Sequence, residues 1–510
     1  MSQSIAELPP TLLFKHFDAL TKVPRPSKKE EKVIAWLQKT IEALGYEPLV
    51  DEVGNIVVRK PGSQGHEDAP RLLLQSHVDM VCEKNRDTAH DFENDPIDAY
   101  IDGEWIRARG TTLGADNGIG VAAALALLEA KDLVHPPLEM LFTIDEETGL
   151  TGAGALKAEQ IESRRMINLD SEEEGIVYVG CAGGCDTTGR LEVDFEDLEE
   201  KGYVPRLLLV SGLKGGHSGT DIDKGRGNAI KILGQTLRAL FRDVPGTRVS
   251  TLSGGSKRNA IAREADALIH LPEADLDKAQ SVVEAIEAEV KAALAPVEPD
   301  LKIALGQPSP DSEPRAKTRS FQFGPLKVDI ELSQEPKILK KKHIRRVLDV
   351  IQALPHGVLR MSSDIEGLVE TSTNLATLTM DGDDLTIGTS QRSLIDSVKA
   401  EAVAQVQAVF RLADFKVKSG AGYPGWKPNM DSALLAAFKA AYAEVEGKDP
   451  KVLAIHAGLE CGLIGETVAG MDMISVGPTI LDPHSPDERL HIGDTQKFWN
   501  VLTKLIERLA

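Results

Sequence analysis

Cysteine is scarce in this 510-residue chain: Cys82, Cys181, Cys185 and Cys461 are the only four. A disulfide framework is excluded, and the four read as reduced thiols of a cytosolic protein. Three residues separate Cys181 from Cys185, so a CxxC redox motif is also missing. Long apolar runs are absent too. The longest, "VAAALALL" at 121–128, falls well short of the roughly 20 residues that span a bilayer, and no membrane segment is expected. The N-terminal stretch "MSQSIAELPPTLLFKHFDALTKVPR" has charges inside its apolar part and no cleavage-type ending, so it does not read as a signal peptide. Positive charge is in deficit, with 58 basic against 79 acidic residues and a formal charge of -21. That balance argues against binding the backbone of nucleic acid.

What is present describes a globular protein, 27% charged and 42% hydrophobic. Its length calls for two domains or more. "SKKEEKVIAWLQKTIEALG" opens with a capping-box pattern, Ser27 and Glu30, and runs with helical spacing to Gly45, which reads as a surface helix. "GNIVVR", "RLLLQSHVD", "LEMLFTI" and "MINLD" then read as strands around a buried helix, "NGIGVAAALALLEA". Such alternation predicts an α/β sheet with helices on its faces.

After "YVGCAGGC" the units shorten into two similar passes of strands and helices, joined by the Pro- and Ser-rich "GQPSPDSEPRAKTRS". From about Trp426 the α/β style resumes. The order predicts an α+β domain, 186–425, inserted into a catalytic domain made of 1–185 and 426–510. The basic run "KILKKKHIRR" at 337–346 reads as the exposed face of a helix.

The chemistry concentrates where predicted strands end, which is where open α/β sheets place their sites. "LLLQSHVDMV", residues 72–81, ends in His77 and Asp79, two residues apart and so on one side of an extended strand. A carboxylate beside an imidazole fixes the tautomer and orientation of a metal-ligating histidine, although the two could equally be a plain pair at a strand end. Asp116 follows "TTLGA", Glu146 and Glu147 follow "LEMLFTID", Asp170 ends "MINLD", and His484 lies in "ILDPHSPDERLHIG". Singly, each has a simpler reading; Asp116 could be an N-cap. Together, four carboxylates on one rim would repel each other at considerable cost unless divalent metal neutralised them. Mixed histidine and carboxylate ligation suits zinc, and also manganese or cobalt. With a bridging carboxylate, two metals about 3.5 to 4 Å apart would acidify a shared water. One of the adjacent glutamates would remain free to move its proton.

The blocks "SHVDMV", "GTTLGADNGIG", "DEETGLTGA", "INLDSEEEG", "GGHSGTDI", "GGSKRNAI", "VETSTNLA", "HAGLECG" and "DPHSPDERLHIG" together resemble the aminoacyl-histidine dipeptidases. These are cytosolic di-zinc peptidases, also called peptidase D or Xaa-His dipeptidase, related to carnosinases and aminoacylases. The resemblance runs in order along nearly the whole chain. It implies a mixed-sheet di-zinc exopeptidase catalytic domain with an inserted α+β lid, two Zn2+ per subunit (Co2+ or Mn2+ as substitutes), and hydrolysis of Xaa-His and other dipeptides by a metal-bound hydroxide.

Carried over residue by residue, the resemblance makes His77 and Asp170 ligands of one zinc, Glu147 and His484 ligands of the other, and Asp116 the bridge. Glu146 is then the general base and later acid, Asp79 orients His77, and the bond from Asp116 to Asn117 is cis. His217 holds the scissile carbonyl, often from the partner subunit of a lid-to-lid homodimer. Asn259 and Arg392 contact the substrate, with Arg392 gripping its C-terminal carboxylate in a bidentate fork, and Gly458 lies in a substrate loop. Two departures are visible: the segment from about Gln307 to Arg346 is longer than expected, and Ala262 stands where proline is expected. Rival expectations are an N-acyl amino acid deacylase, a tripeptidase, or a peptide-binding homologue without catalysis. The intact Glu146 argues against the last.

Overall fold

The computed structural model describes residues 4–198, 202–310, 317–331 and 337–510. It divides into two compact units, Met1–Cys181 with Trp426–Ala510, and Ala182–Gly425. Among the described residues no helix is long and apolar enough to cross a membrane, and the four cysteines are free.

The first unit is built on a mixed eight-stranded sheet. Its strands run in the order Leu49–Val50, Ile56–Lys60, Leu138–Thr143, Leu72–His77, Arg165–Asn168, Asp472–Ser475, Ile176–Cys181 and Lys451–Ile455. The central strands Leu72–His77, Leu138–Thr143 and Arg165–Asn168 are parallel. The first two are buried along their whole length, which accounts for apolar runs without alternation. Helix Ala115–Glu129 is buried from Asn117 to Leu128, and its glycines and alanines let it lie close to strand Leu72–His77. A Cβ on Gly120 would meet the side chain of Asn117 and stand 2.8 Å from the carbonyl oxygen of Leu169. The helix backbone therefore rests against the loop that carries Asp170.

Parallel order brings the C-terminal ends of three strands to one rim. His77 ends its strand, Glu146 and Glu147 follow Thr143, and Asp170 follows Asn168. The helix expected after Ser27 forms over Glu31–Ala43, and Gly45 takes the positive φ of 92° that ends it. Its capping box does not form. Ser27 Oγ donates instead to Asp79 Oδ2 (2.8 Å), and Glu30 Oε1 accepts from the backbone N–H of Lys28 (2.8 Å) and Asp145 (3.1 Å). Both side chains are taken up by the loops beneath the rim.

The second unit carries an antiparallel sheet, described over Leu326–Glu331, Thr318–Phe323, Lys302–Pro308, Tyr203–Ser211, Ala265–Pro272, Arg248–Gly254, Val369–Asp381, Asp384–Ser393, Gly183–Glu192 and Lys416–Ser419. Strand Gly357–Met361 pairs with Val369–Asp381 beside this path. Helices Ala229–Asp243, Leu276–Leu294, Lys341–Ala353 and Asp396–Leu412 share one apolar core with it. The stretch "ATLTMDGDDLTIGTS" is a hairpin closed by the two-residue turn Gly382–Asp383, with Gly382 at φ 61°. Within the long 307–346 segment, Thr318–Phe323 and Leu326–Glu331 form a hairpin, whereas 311–316 and 332–336 lie outside the described residues.

The close approach at Gly120 makes a direct prediction. Gly120→Ala should destabilise the protein by about 1–3 kcal/mol, because the Cβ pushes the helix off the Leu169 carbonyl. Urea denaturation followed by circular dichroism checks it.

Candidate metal centre

Six side chains meet at the rim. His77 Nε2 lies 3.1 Å from Asp116 Oδ1 and 3.2 Å from Asp170 Oδ1. His484 Nε2 lies 3.1 Å from Asp116 Oδ2 and 3.1 Å from Glu147 Oε2. The arrangement is two triads, His77 with Asp116 and Asp170, and His484 with Asp116 and Glu147, each close enough to hold one cation. Asp116 belongs to both, with one carboxylate oxygen turned to each imidazole. Glu146 is near His77 and Glu147 in a further grouping but in neither of these triads.

Local backbone sets the geometry. Helix Ala115–Glu129 has Gly114, at φ 70°, as its N-cap; Asp116 (φ -77°, ψ 113°) and Asn117 are not helical, and the bond between them is cis. Asp116 is therefore not an N-cap. Asn117 Nδ2 donates to the Leu169 carbonyl (3.0 Å) and to Asp170 Oδ1. Asp145 and His484 hold φ of 49° and 60°, uncommon for residues other than glycine. Asp79 lies two residues past the strand end, so strand alternation does not orient it. The loop folds it back: Oδ1 is 3.3 Å from His77 Nδ1, and the carboxylate accepts from the N–H of Glu146 (3.1 Å) and Glu147 (3.3 Å). With Nδ1 held by Asp79, Nε2 is the nitrogen left to ligate.

The centre is short of positive charge. Burial pushes the Glu146 carboxyl well above the usual range, and it pushes Glu147 and Asp170 up as well. Burial would raise Asp116 too, but hydrogen bonds from His484 and His77 hold it well below the ordinary value. Hydrogen bonds to Asp116 and Glu147 push the His484 imidazole up to about 11. Burial lowers the proton affinity of His77, yet Asp170 and Asp116 raise it well above the usual histidine value. Protons thus take the places that cations fit, and the two compete. Buried Glu147 Oε1 has no hydrogen-bond partner. That orphan oxygen, the paired imidazoles and the shared carboxylate fit a pair of divalent metal ions.

Sequence reasoning left Glu460 without a role. It is fully buried; Oε2 accepts from Gln75 Nε2 (2.5 Å) and Thr143 Oγ1 (2.7 Å), while Oε1 has no partner. Gln75 and Thr143 stand on the strands that deliver His77 and Glu146, so Glu460 ties them from beneath. The signal was the block "HAGLECG", whose glutamate follows a strand end. His491, also without a role, caps the last helix by accepting from Asp494 N–H at 3.1 Å.

The remaining predicted residues fall in both units. Gly458 is half-buried in the loop before helix Glu460–Thr467 of the first. In the second, Ser218 joins the other three: its N–H donates to the Asn259 carbonyl (2.8 Å), its Oγ accepts from Arg392 Nε (3.4 Å), and it follows His217. His217 Nδ1 accepts from Thr220 N–H at 3.2 Å, which places the proton of the neutral ring on Nε2 as a donor. Arg392 is buried and donates from Nη1 to Tyr423 Oη (2.9 Å). Asn259 is exposed.

A rim of two histidines and four carboxylates on an α/β sheet, with His77 buried, His484 exposed and one carboxylate outside both triads, has the donor set of a metal-dependent hydrolase. Residues 73–508 match the model of peptidase family M20/M25/M40. The chain is 39% identical over 505 residues to the cytosol non-specific dipeptidase of Escherichia coli, covering 99% of both. It is also 39% identical to the aminoacylhistidine dipeptidase of Vibrio alginolyticus, whose crystal structure superposes with a TM-score of 0.83 over 99% of this chain and 98% of that one. The aminopeptidase PepT of Bacillus cereus, 16% identical, shares the fold at a TM-score of 0.54 over 98% of this chain and 99% of its own. The chain belongs to peptidase family M20/M25/M40.

Glu460 makes the metal-free protein sensitive to pH. Burial raises its carboxyl to about 7, so between roughly pH 4.5 and 7 the folded state binds a proton that the unfolded chain has released, and stability falls as pH rises through that window. Glu460→Gln removes this loss. The melting temperature of the metal-free variant should gain on the parent between pH 5 and pH 8; a constant difference across that range refutes the assignment.

Proposed function

We propose that the protein is a cytoplasmic zinc-dependent dipeptidase that hydrolyses Xaa-His and other dipeptides. The observation that carries this reading is Glu146, a half-buried carboxyl with raised proton affinity that is spare to the two triads sharing Asp116. Identity of 39% along 99% of the chain to a curated dipeptidase supports the substrate class.

The residues His77, Asp116 and Asp170 would hold one zinc and Asp116, Glu147 and His484 the other. Bound there, the metals supply Lewis acidity toward the scissile carbonyl and toward an attacking water. Glu146 takes the proton of that water and delivers it to the leaving amine, which its raised proton affinity suits it to do. Asp79 holds His77 in the ligating tautomer. In the same reading His217 would donate from Nε2 to the carbonyl oxygen as charge builds on it, Arg392 would pair with the substrate's terminal carboxylate, and Asn259 and Gly458 would contact the peptide.

The zinc-loaded protein should release amino acids from β-alanyl-histidine and leucyl-glycine, and a chelator should stop it. Glu146→Gln should lower kcat by about 10²- to 10⁴-fold with two zinc ions per chain retained. Cleavage of an N-acetyl amino acid or a tripeptide alone would give the protein to the deacylases or tripeptidases, and no cleavage at all would leave only peptide binding.

A homodimer through the second unit belongs to the same reading. Its support is strand Gly357–Met361, which exposes Val358, Leu359 and Met361, apolar groups that an edge strand ordinarily covers. Sedimentation should give twice the mass of one chain, and Val358→Lys with Leu359→Glu should return a monomer.

A further inference from the structure

Two buried side chains contribute nothing to either triad yet touch the backbone of the loops that carry the ligands. Arg25 is 2% exposed. Its Nη1 donates to the carbonyls of Val78 and Asp79, both at 3.0 Å, and its Nη2 donates to the carbonyl of Gly114. Glu488 is equally buried. Its Oε2 accepts from the N–H of Leu113 (2.7 Å) and Gly114 (2.9 Å), and its Oε1 from Ala115 (2.7 Å) and Asp116 (3.3 Å).

The two residues grip one loop from opposite sides of its peptide dipoles. Residues 113–116 offer a carbonyl to a cation and four amide hydrogens to an anion, and a single carboxylate serves as the cap for the start of helix Ala115–Glu129, whose N-cap Gly114 has no side chain to do so. The guanidinium fits because glycine lines its slot: a Cβ on Gly118 would stand 2.7 Å from Arg25 Nη2, and Gly114, at φ 70°, would be closer still.

The consequence is a cross-link between three segments. Arg25 joins the loop after His77 to the loop before Asp116, and Glu488 joins that second loop to the turn holding His484, four residues before it in sequence. His77, Asp116 and His484 are the shared carboxylate and the imidazoles on either side of it.

We propose that Arg25 and Glu488 are positioning residues that set the spacing of the two cation sites by clamping the backbone on both sides of Asp116. The inference rests on the metallohydrolase reading of the centre and adds residues that bind neither metal nor substrate. A loop free to shift would let Asp116 serve one imidazole at the expense of the other, so the second cation would be lost before the first.

Glu488→Gln tests this in the full-length protein with Co2+ as the probe. The amide replaces one acceptor oxygen with a donor that opposes two backbone N–H groups. Calorimetric titration and visible absorption should show the first Co2+ bound nearly as in the parent and the second weakened by about 10–100-fold, as expected for loss of an outer-shell partner. In the cobalt enzyme kcat should fall with KM within about twofold. Arg25→Lys keeps the charge but loses the fork across two carbonyls, and it should show the same split, providing a second variant if the first folds poorly. A lower melting temperature of the metal-free variants with unaltered Co2+ affinities and spectrum would overturn the proposal in favour of a purely structural role. Failure of the parent itself to bind two Co2+ would instead sink the metallohydrolase reading on which it rests.

Discussion

Electrostatic crowding at the end of three parallel strands governs the first unit. Asp116, Glu146, Glu147 and Asp170 converge on a rim where His77 and His484 offer the compensating charge in direct contact. A protein does not gather such groups for stability, since each carboxylate raises the cost of ionising the next. Much of the surrounding architecture answers that cost. Asp79, Ser27 and Glu30 hold the approach to the glutamate pair, while Asn117 secures Asp170.

The same rim shows how a parallel sheet converts burial into placement. Strands Leu72–His77 and Leu138–Thr143 are buried throughout, so their registers are fixed by packing well before any polar group matters. Beneath them a polar chain runs from Glu460 through Gln75 to Asn168 and Ser475. The link between Gln75 and Asn168 joins the strands that lead to His77 and Asp170. Such a network rigidifies when satisfied, and here Glu460 Oε1 is the one open acceptor along it.

The cluster of side chains at the rim was legible in the sequence because most of it obeys a positional rule, with acidic residues and a histidine placed at or just after the ends of apolar strand runs. The helix Glu31–Ala43 was legible through its spacing, but Ser27 and Glu30 were misread as its cap because local pattern cannot show that Asp79 and Asp145 compete for them. Asp79 was paired with His77 for the wrong geometric reason, since the strand stops at His77. Arg25 and Glu488 were not legible at all. Their partners are backbone atoms 53 to 375 residues distant, and a backbone atom leaves no trace in residue identity.

The first unit is discontinuous in sequence, with 182–425 folded as a separate unit between its two parts. Four of the rim carboxylates and His77 precede that interruption, whereas His484 and Glu488 follow it. During synthesis the ribosome therefore emits an acidic half-site and then some 244 residues of another folding unit before the second imidazole exists. A nascent chain can present at most one complete triad over that interval, and a chain that stalls there is left without the partner of its shared aspartate. Completion of the centre thus reports that translation has passed through both units.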